Sequence, residues 1–214
     1  MRVHQSVSFL VLCCLVLLLQ QNSLALAGKD VPPAVTCGSI VKLKNEKTGH
    51  VLHSIDVNYG TGSGQQAVIG STASDSADSM WIVRSDSADC RQGTPIKQNQ
   101  LIRLQHVRTA KWLHSHLFQS PLSGQQEISC FGSAKQSDTG DVWSVEWDDG
   151  KKTAWLRDMP VRLKHKDTGR FLSNHGKTYP RPIQGHSEVF GSSKKGKEQL
   201  FRAGEGVYFA ERET

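Results

Sequence analysis

Three copies of one segment set the strongest limit on what this 214-residue chain can fold into. IVKLKNEKTGHVLHS (40–54) returns as LIRLQHVRTAKWLHS (101–115) and again as PVRLKHKDTGRFLSN (160–174), at spacings of 101 − 40 = 61 and 160 − 101 = 59. The match runs on. Gly64-Gln65-Gln66 recurs as Gly124-Gln125-Gln126 and, more loosely, as Gly185-His186-Ser187. Each copy closes on an aromatic with an apolar residue two places later: Trp81 and Val83, Trp143 and Val145, Phe201 and Ala203. Agreement at so many ordered positions marks three copies of one structural unit of about 60 residues.

The unit reads as β. Val41 and Leu43 alternate with Lys42 and Lys44, the period of a half-buried strand, and Ile102 with Leu104 and Val161 with Leu163 repeat it. A second strand carries Leu52, Leu113 or Leu172, and a third Val68, Ile128 or Val189. Gly49 and Gly169 end the loop between the first two strands, where a positive φ is often needed. The second copy has Ala110 there, so its turn either strains or takes another type. Asp149-Gly150, between Trp147 and Trp155, predicts a further hairpin. No stretch holds a helical period. A three-bladed propeller is smaller than the usual four to eight blades, whereas three four-stranded units around a pseudo-threefold axis close a β-trefoil and remove exposed sheet edges. The expected fold class is all-β: a β-trefoil over 36–209, with repeats at about 36–93, 94–153 and 154–209. Its core is expected in three layers: Val41, Ile102 and Val161; Leu43, Leu104 and Leu163; Leu52, Leu113 and Leu172. Trp81, Trp143 and Phe201 plug one end of the barrel.

The start of the chain reads differently. Residues 1–27 hold one charge, Arg2, then an apolar run over 7–19, then Ala25-Leu26-Ala27, the layout of a secretory signal peptide cut after Ala27. The run falls short of the roughly 20 residues of a membrane span, so no span is expected. Net charge is 26 − 20 = +6, or +5 once Arg2 leaves, a mild excess with no basic stripe, and nucleic acid is not an expected partner. Cys13 and Cys14 leave with the leader. Cys37, Cys90 and Cys130 remain, for which one bridge and one free thiol is the simplest arithmetic in an oxidising compartment. No C-x-x-C pair supports a zinc or redox reading.

Catalytic motifs are absent: no G-x-S-x-G, H-E-x-x-H or G-x-x-x-x-G-K-[ST] occurs. His114 and His116, two apart on a strand, share a face, but no third zinc ligand is evident and structural hydrogen bonding is expected of them. His106 and His165 stand where the first copy has Asn45, which points to turn hydrogen bonds. Asp138, Asp141, Asp148 and Asp149 read as turn residues rather than as the paired acids of a glycosidase. GTGSG (60–64) opens no helix and reads as a hairpin loop, not a phosphate site. No catalytic residue, cofactor or metal is assigned, and a binding module is the expected class.

At this point a family comes into view. LQHVRTAKWLHSH (104–116) resembles the MIR motif shared by protein O-mannosyltransferases, inositol trisphosphate receptors and ryanodine receptors. With VTCGS (35–39), YGTGSGQQ (59–66) and SPLSG (120–124), the chain over roughly 35–209 resembles the stromal cell-derived factor 2 family. The resemblance implies a lumenal endoplasmic-reticulum protein built as a β-trefoil of three MIR-type repeats. It implies association with a J-domain co-chaperone and a heat-shock chaperone, in the folding and quality control of unfolded secretory clients. The alternative is a carbohydrate-binding trefoil linked to O-mannosylation, taking mannosyl glycans on an aromatic such as Trp112, although the Q-x-W motif of ricin-type trefoils is missing at Trp81 and Trp143. The chain ends Glu211-Arg212-Glu213-Thr214 without a K-D-E-L-type signal, so retention through a partner is expected, with secretion in its absence.

The expected binding face spans repeats one and two: His53, Ser54, Gln65 and Gln66, then Trp112, His114, Ser115, His116, Gln125 and Gln126. An apolar core does not demand His-Ser or Gln-Gln; buried hydrogen bonding does. The first copy has Ile55 in the place of His116, and the third has Ser173, Asn174, His186 and Ser187 in the places of the His-Ser and Gln-Gln pairs. Cys37 lies just before the first strand of repeat one and Cys90 just after its last, ends that meet in a trefoil. A Cys37–Cys90 disulfide is therefore expected, with Cys130 free and buried beside Phe131.

Overall fold

The computed structural model describes residues 33–73, 75–86 and 90–212; the expected leader and the final Glu213-Thr214 lie outside them. Each repeat supplies four strands. Repeat one gives β1 (Ile40–Asn45), β2 (Val51–Asn58), β3 (Gln66–Ser71) and β4 (Trp81–Ser85). Repeat two gives β5 (Leu101–His106), β6 (Trp112–Gln119), β7 (Gln126–Phe131) and β8 (Trp143–Glu146), and repeat three β9 (Pro160–His165), β10 (Phe171–Thr178), β11 (Ser187–Ser192) and β12 (Phe201–Val207). A 3₁₀ turn precedes the last strand of each repeat, at Ala77–Ser79, Thr139–Asp141 and Lys197–Gln199.

The first and last strands of the repeats form one closed ring: β1–β4–β5–β8–β9–β12 and back to β1, antiparallel throughout. The register repeats with the sequence. Val83 faces Leu104, Val145 faces Leu163, and Ala203 faces Leu43. The middle strands make three hairpins whose inner strands β3, β7 and β11 pair with one another around the axis and cap the ring. This is a β-trefoil, and all three expected core layers are buried in one cluster. Trp81 and Trp143 sit where barrel meets cap, donating their indole N–H to the carbonyls of Leu52 (3.0 Å) and Leu113 (2.9 Å). The first-strand cations Lys42, Arg103 and Arg162 each meet an acid: Glu205 at 2.6 Å, Asp86 at 2.7 Å and Asp148 at 2.8 Å.

The other end of the barrel is closed by a threefold ring of backbone hydrogen bonds. Val35 N–H donates to Trp155 O (2.7 Å), Trp155 N–H to Ile96 O (2.8 Å), and Ile96 N–H to Val35 O (3.0 Å). This corrects the hairpin expected around Asp149-Gly150: that turn lies in the connection from β8 to β9, and no strand forms within 147–155 to pair across it. Trp155 is the counterpart of Val35 and Ile96, and its backbone is committed to the ring rather than to Trp147. The Cys37–Cys90 disulfide ties this end, with Cα atoms 5.7 Å apart, a normal span for a bridge. Cys130 is free and buried, and burial pushes its thiol up to about 12, which leaves it an inert thiol. Among the described residues no helix is long and apolar enough to cross a membrane.

The turn after each first strand is the same in all three repeats. Gly49, Ala110 and Gly169 donate their N–H to Asn45, His106 and His165 at 3.0, 2.9 and 2.9 Å. Ala110 adopts φ 55°, so repeat two keeps the turn and carries the strain. Ala110→Gly is expected to raise stability by roughly 1 kcal/mol in denaturant unfolding. Leu104→Ala, which empties the middle of the barrel, is expected to lower it by about 2–5 kcal/mol. A neutral Leu104→Ala would contradict the shared core.

Candidate functional site

The expected binding residues lie on the hairpin strands, and the structure commits most of them to internal bonds. At the first of the two paired motif positions, each repeat latches its second strand to its own 3₁₀ turn, with different chemistry each time. His53 Nδ1 meets Ser79 Oγ (2.8 Å), His114 Nδ1 meets Asp141 Oδ1 (2.9 Å), and Gln199 Nε2 donates to Ser173 Oγ (2.9 Å). Asp141 also accepts from Ser137 Oγ (2.7 Å) and the Asp138 N–H (2.9 Å), completing a capping box around that turn. His114, Asp138 and Asp141 have ligand atoms within 4.8 Å of one another, but this latch and cap account for the arrangement without an ion. At the second position Ser54, Ser115 and Asn174 donate to Ala67 O (2.8 Å), Glu127 O (2.8 Å) and Glu188 O (2.9 Å), bracing the hairpin at its bulge.

The Gln positions stitch one repeat to the next. Gln66 Nε2 donates to Ser54 Oγ (2.8 Å) and to Thr109 Oγ1 of repeat two (3.3 Å). Gln126 Nε2 does the same to Ser115 Oγ (2.5 Å) and Thr168 Oγ1 of repeat three (2.8 Å). Thr109 and Thr168 in turn meet Nδ1 of His106 and His165, both at 2.9 Å. The far nitrogens, Nε2, lie 3.0 and 2.9 Å from the carbonyls of Asp78 and Gly140. A carbonyl only accepts, so Nε2 carries the proton and Nδ1 accepts from the threonine. In repeat three Ser187 takes the Gln place and meets His50 of repeat one at 2.7 Å. Gln65 accepts from Ser129 Oγ of repeat two (2.5 Å).

Two fully buried carboxylates, which the sequence reading passed over, bind the hairpin tips together. Glu127 takes Ser63 N–H (3.3 Å), Ser63 Oγ and His116 Nε2 (3.3 Å). Glu188 takes Ser120 Oγ (2.7 Å), the N–H groups of Leu122 (2.9 Å) and Ser123 (3.0 Å), and lies 3.2 Å from His175 Nε2. Each glutamate thus clamps the tip loop of the preceding repeat. The clamp demands glycine at the middle of the GTGSG loop: a Cβ on Gly62, at φ 69°, would collide with the Glu127 carboxylate. Repeat one has Ile55 and Ala67 where the others have His and Glu, and these pack with Tyr59, Ile69, Tyr179 and Ile183 as a second apolar cluster. Both members of the pair differ together, as the cost of an unpaired buried charge requires.

What remains on the surface is small. Trp112 is buried with its indole N–H given to Ser133 O (2.8 Å) and Gln136 O (3.1 Å), so it offers no open platform to a sugar. Gln125 is exposed. Beside it stand Leu117, 88% exposed, and Phe118, 51% exposed, two apolar side chains not anticipated from the sequence. They form a ridge between a groove of about 280 Å³ running to Gln125 and Arg170, and one of about 560 Å³ running to Thr61 and Pro121. The available signal was their place in the repeat: Asp56-Val57 and Gly176-Lys177 occupy it elsewhere. A separate depression of about 360 Å³ lies on the barrel wall at Lys42, Arg157, Asp158 and Glu205, where Glu205 meets Lys42 (2.6 Å) and Arg157 stands 3.7 Å from Asp158 and over the Tyr208 ring.

Comparison with known proteins agrees with this architecture. A family model described as MIR domain matches residues 47–201. Stromal cell-derived factor 2 of Homo sapiens is 48% identical over 175 residues, covering 81% of this chain and 82% of that protein. The crystal structure of the SDF2-like protein from Arabidopsis thaliana is similar at TM-score 0.81 and 45% identity, covering 84% of this chain and 99% of that one. The S. cerevisiae protein O-mannosyltransferase Pmt1–Pmt2 complex bound to the sugar donor is similar at TM-score 0.75 and 28% identity, covering 85% of this chain and 26% of that one.

Two experiments separate stitching from surface. His114→Ala strips a fully buried carboxylate of its imidazole and is expected to cost about 1–3 kcal/mol, whereas Gln125→Ala is expected to leave the melting temperature unchanged. Equal melting of both variants would deny the latch. Burial also lowers the pKa of His50, His106, His165 and His186, and of His53 to about 4. The unfolded chain takes up these protons near pH 6.5, while the folded chain resists them. Stability is therefore complete above about pH 6.5 and falls as pH drops toward 4. His106→Asn with His165→Asn copies Asn45 and is expected to flatten that decline in thermal melts; an unchanged slope would place the acid sensitivity elsewhere.

Proposed function

This chain belongs to the stromal cell-derived factor 2 family, and from that membership we propose that it serves as a non-enzymatic subunit of a co-chaperone complex in the endoplasmic-reticulum lumen. In this reading it assists folding and quality control of secretory proteins together with a J-domain partner and a heat-shock chaperone. One observation carries it beyond kinship: the histidine, serine, glutamine and aspartate side chains that a catalytic site would need are held in bonds within and between the repeats. Surface is then what the domain has to offer, and its most exposed large apolar side chain among the described residues, Leu117, lies on repeat two beside the exposed Phe118. A shape built this way serves as a docking body.

A second reading has one observation in its favour. The mannosyltransferase complex that this chain resembles is described as bound to its sugar donor, and this chain aligns with 26% of that polypeptide. On that analogy the trefoil takes mannosyl glycans. Burial of Trp112 weighs against the aromatic platform first expected there.

Affinity capture on the immobilised chain from lumenal extract, with eluted proteins identified by mass spectrometry, tests both. The proposal expects a J-domain protein and the lumenal heat-shock chaperone to elute together, and to resist free mannose. Release of the bound material by mannose, with no J-domain protein in it, would replace the first reading with the second.

A further inference from the structure

The Leu117–Phe118 ridge is not frayed chain. It rides on the β6 bulge, where residues 116–118 stand opposite Glu127 alone, between the Ser115–Ile128 and Gln119–Gln126 pairs. A bulge of this kind re-aims side chains, here outward. Beneath it, His116 lies edge-on to the Phe118 ring at 4.5 Å and is bonded to the buried Glu127, which Ser63 holds in turn. The apolar pair is therefore displayed on an anchored segment. Folding gives no reason for Leu117 to stand 88% exposed, and contiguous exposed apolar surface marks an interaction site.

The walls fix the chemistry of what lands there. The smaller groove has glutamine amides from Gln119 and Gln125 and one charge, the exposed Arg170 of repeat three. Arg170 has no ion pair among the described residues, and no acidic residue lines either groove. A carboxylate next to an apolar side chain is the complement, and the amides suit the backbone of an extended chain. A second copy of this protein fits poorly. Isologous pairing sets a patch against itself, bringing two Arg170 guanidiniums to a ridge that has no acid to receive them.

We propose that the Leu117–Phe118 ridge with Arg170 is the site at which this protein holds an extended, unfolded segment carrying an apolar residue flanked by carboxylates. The proposal rests on the co-chaperone reading in supplying unfolded chains as the ligand, and it adds the lobe, the residues and the charge of the segment held.

The test uses the full chain and two fluorescein-labelled unstructured peptides. Both have the same Leu and Phe residues; one flanks them with Glu, the other with Lys. Fluorescence anisotropy is expected to show the Glu peptide bound at least tenfold more tightly than the Lys peptide. Leu117→Ser with Phe118→Ser is expected to lose at least tenfold affinity for the Glu peptide with no change in melting temperature. Arg170→Glu is expected to invert the preference. Unaltered binding by the double variant, or an unaltered charge preference in Arg170→Glu, overturns the proposal. Capture of the J-domain protein is followed in parallel. Its retention by the double variant supports a client site distinct from the co-chaperone site. Its loss together with peptide binding overturns the assignment and makes the ridge the co-chaperone surface. Peptide binding by a wild-type chain that captures no J-domain protein leaves the ridge standing and removes the co-chaperone reading.

Discussion

Pairing of β12 with β1 is the constraint on which the rest of the molecule depends. The last strand of every repeat finds its long antiparallel partner in the first strand of the next, so a repeat in isolation would leave two open edges and one residue of the three in each core layer. Only the third repeat can return the chain to the first and complete the ring. The Val35–Ile96–Trp155 hydrogen bonds at one end and the β3–β7–β11 pairings at the other are both threefold, and each draws one member from every repeat. Two Gln–Thr–His relays then join the first and second cap hairpins to the turn of the following repeat, and a Ser187–His50 bond joins the third hairpin to repeat one. Each relay gives its glutamine N–H and both imidazole nitrogens a partner, while Gln66 Oε1 is buried without one, so the relays favour one arrangement of the three units over a slipped one.

Departures from threefold symmetry show where function has room. The latch between second strand and 3₁₀ turn is His–Ser, His–Asp or Ser–Gln, three solutions to one structural need. The His–Glu clamps of repeats two and three give way to Ile55 and Ala67 in repeat one, another exchange that keeps burial satisfied. The exposed Leu117 and Phe118 answer no need of that sort. They are set above one of the clamps, so the same buried carboxylate that fastens repeat one to repeat two also steadies the surface most suited to a partner.

The architecture was legible in the sequence because its determinants are local and repeated. Leu43, Leu104 and Leu163 announce themselves by spacing, and the turn histidines by standing where Asn45 stands. Cys37 and Cys90 could be paired once the ends of a trefoil repeat were known to meet. Asp149-Gly150 misled because a turn signal says nothing of what its flanks pair with, and Trp155 was claimed by a ring of distant residues. The motif residues His53, Ser54, Gln66, His114, Ser115 and Gln126 were conspicuous in the alignment of the repeats, yet one-dimensional spacing cannot tell a bond made inward from one offered outward. Glu127 and Glu188 were passed over for a related reason: an ionisable residue in a strand reads as solvent-facing until the loop that wraps it is seen. The ridge was missed because two apolar residues in a strand are taken for core.

The central claim is that the repeated polar motif binds three units into one cooperative body. Native-state amide hydrogen exchange reports it most directly, since residues that open only by global unfolding share one exchange free energy. The account predicts a common value for the barrel strands of all three repeats, near the global unfolding free energy, that falls by the same amount in every repeat when denaturant is added. A lower and separate value for any one repeat, with the other two still protected, would show that the units fold independently and that the motif does not join them.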